Sequence, residues 1–335
     1  MTAMRKLIDS PAGFVDEMLA GVLAAYPGQL RLGGDPRAVV RAGGPADGKV
    51  AIATGGGSGH LPLFLGYVGP GLADGCAVGD VFASPSADQI LAVTRAVHAG
   101  RGVLYLFGNY GGDVLNFELA AELAADEGIE TMTVTAADDV ASAPAAERDR
   151  RRGIAGIALL YKIAGAQADR GASLAEVAAT AARAGTQLCS MGVALAPCTI
   201  PAAGRPTFEM PDGQMEIGMG IHGEPGVRRG PLASASQVAR ELTETVLADL
   251  DAGPGDELAV LVNGLGATPA EELHLVFGTV AKVIAERGMS VRRRWIGEYA
   301  TSLEMAGASV SVLRLDGELL DLLDAPSHSS FVAFR

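Results

Sequence analysis

Cysteine is scarce in this sequence, and its few cysteines form no recognisable pattern. There are 3 in 335 residues, at Cys76, Cys189 and Cys198, without the CxxC or Cys/His spacing of a zinc site. Neither a disulfide framework nor a structural zinc site is therefore expected, and the thiols are expected to be buried.

Long apolar runs and an excess of basic residues are also missing. The apolar fraction of 49% suits a sizeable core, but Gly, Asp or Arg interrupts each run before it reaches the length of a membrane span. The first residues lack a secretory signal, so a cytoplasmic location is expected. With 26 basic against 39 acidic residues, no nucleic-acid surface is expected. The one basic run, 148–152, is interpreted as the solvated start of a helix.

Glycine, by contrast, is abundant. The 45 glycines in 335 residues are nearly twice the ordinary share of about 7%. They follow no collagen period and form no Gly/Ser linker, but occur in clusters between apolar segments. Each cluster is therefore a candidate for a tight turn, a positive φ or a close approach to a ligand.

Apolar runs and helical patterns predict an α/β protein of two domains, divided near residue 185 into 1–185 and 186–335. In the first domain, strands alternating with helices predict a doubly wound, mostly parallel sheet. The second is expected to be α+β, with a long functional loop over 197–230. The elements expected around the glycine clusters are strands at 49–54, 75–79, 103–107 and 193–196 and helices at 86–99 and 115–126.

Three glycine clusters also carry groups that could do chemistry. They are GGGSGHLP (55–62), GNYGGD (108–113) and GMGIHGEPG (218–226), which contain His60, Asp113 and His222. The first two follow predicted strands directly, and the carboxyl ends of parallel strands are where α/β sheets bind ligands.

Each of these groups has an alternative interpretation without a ligand. In the first cluster, the glycine N–H groups are expected to converge on a ligand, with His60 in the same crevice; a plain turn is the alternative. Asp113 could aim its carboxylate from a turn, or simply cap the helix that starts near Leu115. His222 lies in a glycine-rich loop rather than on an apolar face, which weakens its interpretation as a core histidine.

Known nucleotide motifs do not account for these clusters. There is no GxxxxGK[ST] loop, and the GxGxxG match at 218–223 is followed by EPGVRRGP, which cannot open a helix. From the residues alone, chemistry on a small, neutral, hydroxylated molecule is expected. Phosphoryl transfer, isomerisation and aldol cleavage remain open.

The clusters, in this order and at these separations, closely resemble the K subunit of dihydroxyacetone kinases, which binds the substrate. The likeness covers nearly the whole chain and includes GDVFASP (79–85), GVALAPC (192–198), PTFE (206–209) and VNGLG (262–266). Each stretch alone would be weak, whereas together they are very specific.

The resemblance implies a role for each candidate residue. It implies that His222 captures a ketose carbonyl as a hemiaminal, that Asp113 activates the terminal hydroxyl that receives the phosphoryl group, and that His60 hydrogen-bonds the substrate and assists proton transfer. It also implies substrate contacts at Gly57, Ser58, Gly59 and Gly108.

The same resemblance implies where the other components lie. No metal site or cofactor is expected on this chain; Mg²⁺ and ATP or ADP are expected on a separate L subunit, whose nucleotide either exchanges or is recharged by a phosphotransferase-system protein. The family also implies a homodimer. No nucleic-acid or membrane partner is expected.

Two departures from the family pattern bear on the substrate. Leu61 stands where a glutamate commonly follows the histidine, and Gly108 stands where a lysine commonly precedes NY[ST]GD. Because the lysine helps to hold a substrate hydroxyl, its loss removes a donor and leaves space. A four- or five-carbon ketose, such as erythrulose or apulose, is therefore expected in preference to dihydroxyacetone.

Two other functions compete with that of a kinase. A non-catalytic ketose-sensing coregulator would use the same covalent histidine, but it would not need His60 and Asp113 beside His222 to activate a hydroxyl. An aldolase or isomerase is disfavoured because no lysine in the three clusters could form a Schiff base.

Overall fold

The computed structural model describes residues 6–44 and 48–334, and the first half of this chain forms a six-stranded sheet. Its strands are β1 (Leu30–Leu32), β2 (Ala38–Arg41), β3 (Ala51–Ser58), β4 (Gly75–Val81), β5 (Val103–Gly108) and β6 (Thr131–Ala136). The spatial order is β1-β2-β4-β3-β5-β6. Strands β3 to β6 run parallel, whereas β1 and β2 pair in antiparallel fashion at one edge.

Helices cover both faces of this sheet. In chain order, the α-helices of both halves of the described chain are α1 (Phe14–Ala25), α2 (Ala87–Val97), α3 (Gly111–Asp126), α4 (Ile157–Asp169), α5 (Leu174–Thr186), α6 (Ala235–Asp249), α7 (Ala270–Glu286) and α8 (Gly317–Asp324). Alternate strand residues point to opposite faces: Ala53 and Tyr105 join the core with α2 and α3, and Ile52 and Leu104 join the core with α4 and α5. The predicted doubly wound, mostly parallel sheet is confirmed.

The second half of the chain forms another six-stranded sheet, this one largely antiparallel. The remaining strands are β7 (Leu188–Ala196), β8 (Thr199–Ile200), β9 (Arg205–Pro206), β10 (Gln214–Ile217), β11 (Arg228–Pro231), β12 (Glu257–Gly264), β13 (Ser290–Gly297) and β14 (Ala306–Leu315). The sheet order is β11-β10-β7-β14-β12-β13, and β8 pairs with β9 separately. Among these strands, β12 and β13 pair in parallel. This arrangement confirms the expected α+β second unit.

Helix α4 lies at the centre of the molecule. Its side chains are buried on nearly all sides, as expected for a helix that is apolar all round. It shares one core with Leu104 of the first sheet, Leu261 of the second and Leu322 of α8, while α6 and α7 cover the other face of the second sheet. Because one core joins both sheets, the division of the chain at residue 185 stays a prediction.

Strand β3 continues through the glycine cluster where the sequence predicted a turn. Gly55, Gly56 and Gly57 pair with successive residues of β4, so the cluster continues the strand, and the expected convergence of its N–H groups on a ligand stays a prediction. These positions need glycine for a steric reason. An added Cβ at Gly56 would lie 2.3 Å from the Phe64 ring, and one at Gly57 would lie 2.7 Å from the Ala83 nitrogen.

Three further expectations are corrected by the structure. The region 197–230 holds strands β8 to β11 instead of one long loop, because Met215 and Ile217 point into the second core. Helix α3 begins at Gly111, so Asp113 lies in its first turn and is not its N-cap. Finally, the basic run 148–152 is not a solvated helix start, since Arg151 is fully buried and its guanidinium binds Asp249.

The helices and the side chains of the described residues bear on membrane and metal binding. Within 6–44 and 48–334, no helix is both long and apolar enough to cross a bilayer. In the same residues, no group of three or more His, Cys, Asp or Glu side chains is arranged to hold a metal ion.

Candidate active site

His60 lies two residues after the end of β3 and is almost completely buried. Its Nδ1 atom lies 2.7 Å from the carbonyl oxygen of Thr301. Because a carbonyl only accepts hydrogen bonds, Nδ1 carries the ring proton and Nε2 carries the lone pair. Burial, reinforced by the charge of His222, lowers the pKa of His60 to about 3. The ring is therefore a neutral acceptor, and its buried Nε2 has no partner among the described residues.

The backbone around His60 is strained. Phe64, Phe82 and Leu303 have positive φ angles of 64°, 57° and 51°, a region that bulky residues rarely occupy. The Phe82 ring stacks on His60 with ring centroids 4.8 Å apart, and the Leu303 nitrogen donates to the Gly59 carbonyl at 2.7 Å. Strained residues thus pack on the imidazole and fix the backbone of the residue before it, which is typical of a functional site.

His222 lies in the loop between β10 and β11, with its ring against that of His60. Their ring centroids are 4.8 Å apart, and the Tyr110 ring lies 4.7 Å from His222 on another side. The Nδ1 atom of His222 lies 3.0 Å from Glu224 Oε1, and its backbone nitrogen donates to Glu224 Oε2 at 3.0 Å. Glu224 thus holds both the ring and the backbone of His222.

The charge on Glu224 decides which nitrogen of His222 is free. Burial works to raise the pKa of Glu224, but the hydrogen bond and charge of His222 outweigh it and bring the pKa to about 2. The ionised carboxylate can only accept, so Nδ1 of His222 donates the hydrogen, and in the neutral imidazole Nε2 therefore carries the lone pair. An imidazole held in this tautomer is a nucleophile.

Asp113, in the first turn of α3, supplies a buried carboxyl group. Burial raises the pKa of Asp113 to about 6, although the Ser84 hydroxyl and the charge of His222 lower it in part. Its Oδ1 atom is buried and has no hydrogen-bond partner among the described residues. A buried carboxylate with a spare oxygen and a raised pKa suits a general base.

The other residues that the sequence singled out have structural contacts of their own. The Ser58 hydroxyl donates to the Gly79 carbonyl at 2.7 Å, Gly57 packs against the backbone of Phe82, and Gly59 adopts a φ of +98°. These contacts shape the turn that carries His60. Substrate contacts at these positions stay a prediction.

Gly108 ends β5, and the Tyr110 ring covers it. A Cβ added at Gly108 would lie 3.2 Å from two carbon atoms of that ring. The space beside this glycine is therefore taken by Tyr110, whose buried hydroxyl has no partner in the described part of the chain. The sequence did not indicate this packing.

The structure brings the rings of His60 and His222 into contact, places Asp113 close enough for the charge of His222 to act on its carboxyl group, and adds residues that sequence reasoning missed. Glu224 had a usable signal, since it is a carboxylate two positions after His222 in the quoted motif. Phe82 lies in the quoted stretch GDVFASP, but nothing there indicated its stacking on His60, and Thr301 had no signal because it lies 241 positions from His60. Together the groups supply a nucleophile, a base and a hydrogen-bond acceptor, which suits addition to a carbonyl followed by chemistry at a hydroxyl.

The chain is similar to known proteins along nearly its whole length. The model of the Dak1 domain family matches residues 20–331. A D-erythrulose kinase of Mycolicibacterium smegmatis is 45% identical over 324 residues, which is 97% of this chain but 56% of that protein. A dihydroxyacetone-binding subunit of a PTS-dependent dihydroxyacetone kinase from Listeria innocua is 41% identical over 98% of this chain and 99% of its own length.

A solved structure shares the fold over nearly the whole chain. It is the dihydroxyacetone kinase operon co-activator Dha-DhaQ, with a TM-score of 0.87 and 31% identity over 96% of this chain and 99% of the other.

Proposed function

The chain belongs to the Dak1 domain family, and from this premise we propose that it is the ketose-binding unit of a kinase. One observation carries the proposal. Glu224 holds His222 so that Nε2 is free, beside two buried groups whose polar atoms lack partners, Nε2 of His60 and Oδ1 of Asp113. Unsatisfied buried polar atoms gathered around a nucleophile indicate a site built for a polar ligand.

The first step is covalent capture of the ketose. The Nε2 lone pair of His222 forms a bond to the carbonyl carbon, the carbon–oxygen π bond breaks, and the oxygen takes a proton from solvent to become a hydroxyl. The ring gains a positive charge, which the carboxylate of Glu224 stabilises through the Nδ1 hydrogen. No water leaves, so the hemiaminal has the mass of the whole ketose, and polyols without a carbonyl cannot form it.

The second step transfers a phosphoryl group to the terminal hydroxyl of the captured ketose. Asp113 takes the hydroxyl proton as the oxygen bonds to the γ-phosphorus, and the bond from that phosphorus to the bridging oxygen of the nucleotide breaks. His60 accepts a hydrogen bond at Nε2 and orients the substrate. Because its imidazole is neutral, His60 serves as an acceptor, not as an acid.

The phosphoryl donor belongs to a partner in this proposal. An L unit supplies Mg²⁺ and ATP or ADP, with a phosphotransferase-system protein as a possible source of phosphate. The Listeria innocua relative, which this chain matches along 99% of its length, is itself named a dihydroxyacetone-binding subunit, the role that we propose for this chain. A homodimer, a cytoplasmic location and the domain division 1–185 and 186–335 complete the proposal.

The substrate we propose is a ketose larger than dihydroxyacetone. Gly108 places no donor at the end of β5, and the Mycolicibacterium smegmatis relative is named for a four-carbon ketose. Erythrulose is therefore the first compound to test, with the branched five-carbon apulose next.

A second candidate is a ketose-sensing coregulator, which the similarity to the Dha-DhaQ co-activator favours. A sensor needs His222 to capture the ketose, but it does not need a base at the terminal hydroxyl. Retention of Asp113 and His60 beside His222 therefore supports the kinase.

The deciding experiment is a coupled kinase assay of this chain with its L partner and Mg-ATP across ketoses of three to six carbons. The kinase proposal expects turnover, and the substrate proposal expects the highest kcat/KM with a four- or five-carbon ketose. Intact-mass measurement should show the whole-ketose adduct in the native protein and none in His222→Ala, with His98→Ala as the control. An adduct without turnover on any ketose would favour the sensor.

A further inference from the structure

We propose that Arg152 and Asp139 form a positioning pair that holds Glu224 in the orientation in which it controls the reactivity of His222. The inference rests on the proposed function, in which Nε2 of His222 attacks the ketose carbonyl. Arg152 and Asp139 come from the segment before α4, whereas Glu224 and His222 come from the loop after β10. The pair therefore links the nucleophile to the opposite half of the chain.

The guanidinium of Arg152 contacts both sides of this junction. Its Nε and Nη2 atoms lie 3.0 and 2.8 Å from Asp139 Oδ2. Its Nη1 atom lies 3.8 Å from Glu224 Oε2, and Nη2 donates to the Gly218 carbonyl at 3.4 Å. A planar guanidinium with several fixed donors is suited to hold two carboxylates and a carbonyl at once.

Asp139 is a rigid anchor for that guanidinium. Its side chain is 1% exposed, its Oδ1 accepts from the Ala141 nitrogen at 3.1 Å, and its own nitrogen donates to the Arg152 carbonyl at 3.0 Å. Burial raises the pKa of Asp139 to about 6, against the lowering effect of Arg152. The buried carboxylate and the guanidinium thus depend on each other.

The glycine at position 220 is an independent sign that the chain makes room for this contact. A Cβ there would lie 2.1 Å from Glu224 Oε2 and 2.6 Å from Arg152 Nη1. The backbone of Gly220 instead donates to the Glu224 carbonyl at 3.1 Å. Any side chain at this position would push the carboxylate away from the guanidinium.

The charges explain why two residues are needed behind Glu224. Arg152 alone would draw the carboxylate away from the positive ring that forms when His222 bonds to the ketose. Asp139 offsets the charge of Arg152, so the pair orients Glu224 while its negative charge remains available to His222. Arg152 and Asp139 therefore act through Glu224 and need not touch the ketose.

The test measures adduct formation with erythrulose carrying ¹³C at the carbonyl, since that carbon changes from a ketone to a tetrahedral signal in the hemiaminal. We expect Arg152→Gln to weaken the adduct about tenfold, the cost of losing one charged partner. Arg152→Lys should recover part of the loss, and Asp139→Asn should weaken the adduct because the guanidinium then competes for Glu224. Arg150→Gln, an exposed neighbour, is the matched control and should bind like the native protein.

A double-mutant cycle separates positioning from a structural role. If Arg152 acts through Glu224, adding Arg152→Gln to Glu224→Gln changes the adduct constant no further. An additive effect, or an unchanged constant in both Arg152→Gln and Asp139→Asn, would overturn the inference. Thermal unfolding checks that each variant is folded. If Arg152→Gln does not fold, the adduct constant of Asp139→Asn carries the test instead. No adduct in the native protein would instead refute the proposed function.

Discussion

The Nδ1 atom of His60 lies 2.7 Å from the carbonyl oxygen of Thr301, 241 positions later in the chain. This one hydrogen bond joins the end of β3 to the segment between β13 and β14. It also decides the tautomer of His60, which leaves Nε2 as an acceptor facing no described partner. A contact between the two halves of the chain thereby sets the chemistry of a residue in the site.

The neutral state of His60 predicts a pH dependence of stability. Its pKa is lowered from 6.5 to about 3 in the folded chain, so between these values the unfolded chain binds a proton that the folded chain does not. The stability that neutral His60 gives the fold is fully present above pH 6.5. Below that pH, the free energy of unfolding falls by about 1.4 kcal/mol for each pH unit. We expect His60→Asn, whose amide can still reach Thr301, to have a shallower pH dependence. Urea unfolding between pH 5 and 7 tests this; parallel curves for the two proteins would contradict it.

The buried carboxyl group of Asp113 predicts an opposite effect on stability and activity. Its pKa is raised from 3.8 to about 6 on folding, so the ionised form destabilises the folded chain above pH 6, and this cost vanishes below pH 3.8. Asp113→Asn should therefore be more stable at pH 8 by on the order of 2 kcal/mol. It should keep the ketose adduct and lose phosphorylation by about 100-fold or more.

Calorimetry, adduct mass and the kinase assay check these three outcomes for Asp113. The exposed Asp126→Asn at the end of α3 is the control and should change none of them. Turnover near the native rate in Asp113→Asn would remove this residue from the role of general base.

The packing of Gly108 predicts how substrate preference can be changed. A side chain there must shift the Tyr110 ring, which its Cβ would approach to 3.2 Å. We expect Gly108→Lys to raise the kcat/KM ratio of dihydroxyacetone to erythrulose by about tenfold, because it restores a hydroxyl donor and displaces the Tyr110 ring. Gly108→Ala adds the Cβ without the donor and separates the two causes. An unchanged ratio in Gly108→Lys would count against this position as the specificity determinant.

The crowded position of Gly220 predicts a defect without unfolding. In Gly220→Ala the new methyl would meet Glu224 Oε2 at 2.1 Å, so the carboxylate must leave His222 or Arg152. We expect loss of the ketose adduct with the thermal transition retained. Gly278→Ala in α7, where nothing lies within 4 Å of the added Cβ, should stabilise the chain by up to about 1 kcal/mol and keep the adduct.

Much of the first sheet could be predicted from the sequence, since apolar runs and helical periodicity are local signals. Strand β5 and helix α2 lie close to their predicted positions. The course of β3 through Gly55 to Ser58 could not be predicted, because glycine is a weak strand former and only pairing with β4 keeps it extended. Strands β10 and β11 were hidden for a similar reason, among prolines and glycines.

The candidate site divides in the same way. The sequence by itself determined which family this chain resembles and which residues, His60, Asp113 and His222, carry reactive groups, because these depend only on residue type and order. Only the tertiary structure decided that the two imidazoles touch, that Glu224 frees Nε2 of His222, and that Arg152 is half-buried behind it. Protonation and tautomer depend on burial and on partners distant in sequence, and folding alone brings those together.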